Sequence, residues 1–191
     1  MHNKLFVKLA ENFDLGIDTD NIIFSVNREI PWGETVPKDT AYWQLTPRNL
    51  TPCRNFSSNF SKESQIVCEK LEKLQNQYKE SDDNLITKFV KENLDWRKLT
   101  ILRTDHNIVT PHVDIGRHIA VNIGVKNSNT ADTLIGYSTS EDNFWKQSFE
   151  SFTMNDLDVY LVLVKNVHLV KPLEGISKYR YIFTYGLDIL T

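Results

Sequence analysis

Arg117-His118-Ile119-Ala120-Val121-Asn122-Ile123-Gly124-Val125 is the stretch that decides the fold. Ile119, Val121, Ile123 and Val125 share one parity, and Ala120, Asn122 and Gly124 the other. Successive side chains of a strand point to opposite faces, so this run is a strand with one branched face. Lys178 to Leu187 repeats the pattern with Tyr179, Tyr181, Phe183 and Tyr185. Leu99–Arg103, Thr133–Tyr137 and Asp158–Lys165 are shorter runs of the same texture. Several short strands with turn signals between them predict an α+β, mainly β protein, a sandwich or barrel with helices packed outside.

Outward from that region the texture changes. Residues 61–96 read as helical. Ser61 is placed to cap a helix whose apolar side is Ile66, Val67, Leu71, Leu74 and Tyr78. Asp82 or Asp83 caps a second helix with Ile86, Phe89, Val90 and Leu94 on its apolar side. Before residue 60, Asn21–Val26 reads as a strand. Pro31 to Pro52 holds four of the six prolines together with Trp32, Tyr42 and Trp43, and reads as irregular chain. There is no repeat and no linker. The expectation is one domain over 1–191, with 97–190 carrying the β core.

A net charge of −3 and a pI near 6.0 give no general attraction to nucleic acid or to an anionic membrane. No apolar run approaches the ~20 residues that span a bilayer, and the first residues lack an uninterrupted apolar core of a secretion signal. Cys53 and Cys68 are the only cysteines and form no metal-type spacing. A reducing cytoplasm is the expected setting, with no membrane and no nucleic-acid partner. The pattern carries no signal for an oligomeric state.

The chemistry concentrates in three places. Thr110-Pro111-His112-Val113-Asp114-Ile115-Gly116-Arg117 contains a His-x-Asp, which on a strand turns an imidazole and a carboxylate the same way, a pairing suited to iron(II). By itself such a short motif arises by chance in a chain with five histidines and 25 acidic residues. His168 follows a strongly apolar run and precedes Pro172, so it is a strand-borne imidazole beside the core. Arg180 lies inside the last aromatic strand, where its charge needs a partner, and a planar guanidinium suits a carboxylate.

The order of these segments resembles the iron(II)/2-oxoglutarate oxygenase superfamily over about residues 97–190. Those segments are Pro111–Ile123, then Tyr160–Val170, then Ser177–Leu187. Among its members the chain looks most like small hydroxylases of amino acids and of aspartyl, asparaginyl or prolyl side chains. The resemblance implies a double-stranded β-helix, or jelly roll, with flanking helices. It implies Fe(II) held by His112, Asp114 and His168, which are also the catalytic set. Arg180 matches the residue that grips the distal carboxylate of the cosubstrate 2-oxoglutarate. Members often carry Ser or Thr two residues after that arginine. Here the position is Ile182, and Tyr181 or Thr184 are the alternatives. Arg117 and Asn122 are further cavity candidates. They lie five apart, on opposite faces of a regular strand, so at most one should line the cavity without a bulge. His106 and His118 read as structural or solvated.

The implied reaction consumes O2, converts 2-oxoglutarate to succinate and CO2, and hydroxylates an unactivated C–H bond of a small-molecule, amino-acid, peptide or protein substrate. Asp114 keeps the carboxylate that the halogenating variant lacks. The segments 31–52 and 138–150, with Phe144 and Trp145, are expected to cover the mouth. Two other classes stay open at this point: a non-catalytic jelly-roll binding or structural protein, to which Ile182 points, and a cupin-like metalloenzyme that uses no keto acid.

Overall fold

In the computed structural model, β5 (Ile119–Lys126) and β10 (Arg180–Leu187) run antiparallel at the centre of a six-stranded sheet, with Asn122 opposite Thr184. Residues 4–29, 50–53, 56–104, 109–141, 146–175 and 178–187 are described. Outside the central pair lie β8 (Val159–Val162) and β1 (Phe6–Ala10) on one side, and β3 (Thr100–Thr104) and β2 (Leu50–Cys53) on the other. A second, four-stranded sheet has the order β4 (Val109–His112), β9 (His168–Pro172), β6 (Ala131–Gly136) and β7 (Phe149–Thr153). Every pairing is antiparallel. Leu102, Ala120 and Ile182 from the large sheet and Val109, Thr133 and Val170 from the small one line a common cavity, so the sheets face each other as a jelly roll.

The parity read in the opening stretch sorts the two faces of the large sheet. Phe183 and Tyr185 of β10 point to the helical side, where the Phe56 ring lies 5.1 Å from that of Phe183. The Tyr185 hydroxyl accepts from the Asp95 N–H at 2.8 Å. Arg180, Ile182 and Thr184 point the other way, into the cavity, as do Ala120 and Asn122 of β5. The helices α2 (Phe56–Asn59), α3 (Ser61–Gln77) and α4 (Asn84–Lys91) cover the outer face, and Val67, Leu71 and Phe89 are fully buried in the main core. Gly124 is where β5 changes register against β10, and a Cβ there would lie 2.2 Å from the Asn155 carbonyl oxygen.

Several local expectations are corrected. Asn21–Val26 is not a strand but part of helix α1 (Thr19–Glu29). Asp18 Oδ1 accepts from the Asn21 N–H at 3.1 Å, and Ile22, Ile23 and Val26 are buried while Phe24 is 62% exposed. That is a helical stripe; a strand would have placed Phe24 with Ile22 and Val26. Ser61 is the first residue of α3 rather than its cap, because Phe60 holds that position and α2 runs directly into it. Of the two cap candidates, Asp83 is the one that caps α4, accepting from the N–H groups of Leu85 and Ile86, while Leu94, expected on that helix, lies beyond it. Pro52 belongs to β2 rather than irregular chain. β2 is the edge strand of the described sheet, the position within sheets to which proline is largely confined. The segment 30–49 lies outside the described residues. Among the described residues, no helix is long and apolar enough to cross a membrane.

Candidate metal centre

β4 and β9 pair so that His112 and His168 are cross-strand partners, with ring centroids 4.3 Å apart. Pro111 has no N–H to give the ladder, and the pairing shifts between Val109 and His112. Each imidazole is oriented by its own backbone. Nδ1 of His112 lies 2.8 Å from the Thr110 carbonyl oxygen, and Nδ1 of His168 lies 2.9 Å from that of Asn166. With the proton on Nδ1 donated to a carbonyl two residues earlier, the Nε2 lone pair of each ring is left for a ligand. Burial pulls the His168 pKa down to about 4, so that ring is neutral at neutral pH.

Asp114 lies two residues past the end of β4, tied by its N–H to the Val164 carbonyl at 3.0 Å. Its Oδ1 is 3.7 Å from His112 Nε2 and 3.8 Å from His168 Nε2. One donor atom from each of the three residues lies within 4.8 Å of the others. Burial alone would raise the carboxyl pKa. The positive charge of Arg117, with the two imidazoles and the Arg117 hydrogen bond, outweighs it and holds Asp114 below the usual carboxylate range. Two imidazole nitrogens and a carboxylate oxygen are a donor set that fits iron(II) and leaves other coordination positions open.

The cavity runs from this trio to Arg180, which is 3% exposed. Its Nε donates to the Ser128 carbonyl at 3.2 Å, and burial lowers its pKa to about 10. Among the described residues no carboxylate pairs with it; Asp156 adds only a more distant attraction while holding the N–H groups of Asn127 and Ser128. A buried cation with spare donors fits an acidic ligand. Thr104 stands directly across from Arg180 in the β10–β3 register, is 4% exposed, and lines the cavity. It was missed in the sequence because it sits one residue past the run Leu99–Arg103.

The remaining candidates divide as follows. Thr184 lines the cavity four residues from Arg180, at the metal end, and its Oγ1 accepts from Arg117 Nη1 at 3.3 Å. Tyr181 faces away, its hydroxyl donating to Asn27 Oδ1 at 2.9 Å. Ile182 lines the cavity between them. Arg117 and Asn122 both line it, against the expectation that only one would. β5 starts at Ile119, so Arg117 is outside the regular strand and free of its alternation. Asn122 Oδ1 is buried with no hydrogen-bond partner among the described residues, and its side chain lines the cavity. His118 is not among the cavity residues. His106, Phe144 and Trp145 lie outside the described residues.

No family model matches the sequence, and no curated protein does. Solved structures do. The fold is similar to AviO1 from Streptomyces viridochromogenes Tue57, with a TM-score of 0.57 and 12% identity over 99% of this chain and 92% of that one. It is similar to a prolyl hydroxylase from Trichoplax adhaerens in complex with a hypoxia-inducible-factor peptide, with a TM-score of 0.54 and 13% identity over 96% and 84%. A looser likeness, TM-score 0.47 at 10% identity over 94% and 76%, is to the non-heme alpha-ketoglutarate-dependent epimerase SnoN. The two facing antiparallel sheets, with their helices on one side, are a jelly-roll fold similar to that of AviO1 and of the Trichoplax prolyl hydroxylase.

Proposed function

We propose that the protein is an iron(II)- and 2-oxoglutarate-dependent oxygenase that hydroxylates an unactivated C–H bond of an amino acid, a peptide or protein side chain, or a small metabolite. The observation that carries this reading is the pairing of two features in one chamber. Three donors converge at one end, and a buried guanidinium with no carboxylate partner among the described residues stands at the other. In the reading, His112, Asp114 and His168 hold the iron. Arg180 binds the distal carboxylate of 2-oxoglutarate, with the Thr104 hydroxyl in the place that Ile182 leaves without one. Asn122 lines the space between these ends. Arg117 and Thr184 stand beside the metal ligands. Iron with 2-oxoglutarate and O2 supplies the oxidising power, releasing succinate and CO2. The chain's own contribution is to fix the ligand rings through their Nδ1 bonds, to seat the keto acid, and to enclose the site in apolar walls such as Leu102, Val162 and Val170. The reading treats 1–191 as one domain. The test is succinate release from 2-oxoglutarate across a panel of amino acids, peptides and small metabolites, with mass spectrometry for one added oxygen. Succinate formation coupled to a gain of one oxygen supports it; 2-oxoglutarate left unconsumed with every substrate, with iron loaded, removes it.

A further inference from the structure

Arg117 occupies an unusual position. After Asp114 and Ile115 the chain turns at Gly116, whose φ is +82° with open space around it, and returns Arg117 over the carboxylate. Arg117 Nε donates to Asp114 Oδ2 at 2.7 Å, while its Nη1 donates to Thr184 Oγ1 at 3.3 Å on β10. The other carboxylate oxygen, Oδ1, is the one that faces both imidazoles. The arginine stem crosses β10 at Gly186: a Cβ there would lie 2.8 Å from Arg117 Cδ and 3.4 Å from its Cβ. Gly186 shares the cavity-facing parity of Arg180, Ile182 and Thr184. It is therefore the one place on that face of β10 where the missing side chain lets the arginine lie flat against the strand.

We propose that Arg117 is a positioning residue that fixes Asp114 as a one-oxygen ligand, and that Gly186 exists to let it pass. This rests on the metal-centre reading above. With Oδ2 engaged by Arg117, the carboxylate is held against swinging toward solvent, and chelation through both oxygens is disfavoured. Two-oxygen chelation would close a coordination position that a keto acid and O2 need. A lysine at 117 keeps the charge but loses the planar fork that reaches Asp114 and Thr184 together. Outer-sphere partners of this kind commonly change metal affinity by about 10–100-fold.

Co(II) reports this independently of turnover, because its visible absorption depends on coordination number. Titration of the full-length protein with Co(II) is expected to give a tight site in the wild type that His168→Ala abolishes. Arg117→Ala should weaken Co(II) binding by about 10–100-fold and alter the absorption band, with Arg117→Lys in between. Gly186→Ala should weaken it similarly in the wild-type background and have no added effect in Arg117→Ala, since the obstructed side chain is then gone. Should Arg117→Ala not fold, Arg117→Lys carries the same comparison. Unchanged affinity and spectrum on losing Arg117, or Gly186→Ala effects that simply add, overturn the positioning role while leaving the metal site standing. A wild type with no Co(II) site, or one indifferent to His168→Ala, overturns the metal reading and this inference with it.

Discussion

Arg180→Met is expected to make the empty protein more stable and to abolish its response to 2-oxoglutarate. Arg180 is 3% exposed, and burial lowers its pKa from 12.5 to about 10. The folded state thus disfavours the charged form, at a cost on the order of 3 kcal/mol. At neutral pH the guanidinium is charged in both states, so that penalty falls on folding. Methionine removes it but orphans the Ser128 carbonyl that Arg180 Nε reaches at 3.2 Å, a loss of about 1 kcal/mol. The net gain of about 2 kcal/mol corresponds to a rise in Tm of roughly 4–8 °C for a domain of this size. The ligand effect runs the other way. A keto acid binding only the native wild type at ~100 times its Kd adds about 2.7 kcal/mol, and the variant should show none of it. Scanning calorimetry of both proteins with Mn(II), with and without 2-oxoglutarate, measures both quantities. A lower Tm for the ligand-free variant, or an undiminished 2-oxoglutarate shift, refutes the claim that this cation waits for an acid.

Other expectations are local. Asp83→Ala removes the cap that accepts from Leu85 N–H at 2.9 Å and the ion pair to Lys4 at 3.0 Å. It should cost about 1 kcal/mol by urea denaturation, and no loss would mean α4 does not depend on its cap. Gly124→Ala drives a Cβ to 2.2 Å from the Asn155 carbonyl oxygen, so at least ~3 kcal/mol of destabilisation or failure to fold is expected; a normally stable variant contradicts the register change at that residue. Burial pushes the Cys68 thiol up to about 12, against ~8.5 for a free thiol. The folded chain then keeps a proton that the unfolded chain releases, so stability falls as pH rises above ~8.5 toward 12. Cys68→Ala should flatten that alkaline decline, whatever its absolute stability, and parallel profiles remove the thiol as its cause.

The jelly roll was legible where strands are long and alternate. β5 and β10 place a branched or aromatic set against the helices and a smaller or polar set toward the cavity, so their periodicity survives into the structure. It failed where strands are short. β7, Phe149–Thr153, alternates Phe149, Ser151 and Thr153 with Glu150 and Phe152 and makes no apolar face. β4 is four residues interrupted by Pro111, and β9 opens on its histidine. β1 and β2 join the large sheet from far upstream, which no local pattern encodes. At Asn21–Val26 the branched residues that suggested a strand serve equally as one stripe of α1, and tertiary burial decides the matter. In the site, the convergence of His112, Asp114 and His168 was legible from the His-x-Asp spacing and a second strand-borne histidine, and Arg180 from the cost of an unpaired charge in a core strand. Thr104 and the Arg117–Gly186 crossing were not, since both depend on which residues of neighbouring strands come opposite one another.

The most direct test is anaerobic titration of the protein with iron(II) and then 2-oxoglutarate, followed by visible absorption. A keto acid chelated to iron at this trio gives a weak charge-transfer band, and the account predicts that band in the wild type and its loss in both His168→Ala and Arg180→Ala. A wild type that stays colourless with both ligands in excess, or a band that survives the loss of His168, contradicts the claim that His112, Asp114 and His168 form one metal site facing Arg180.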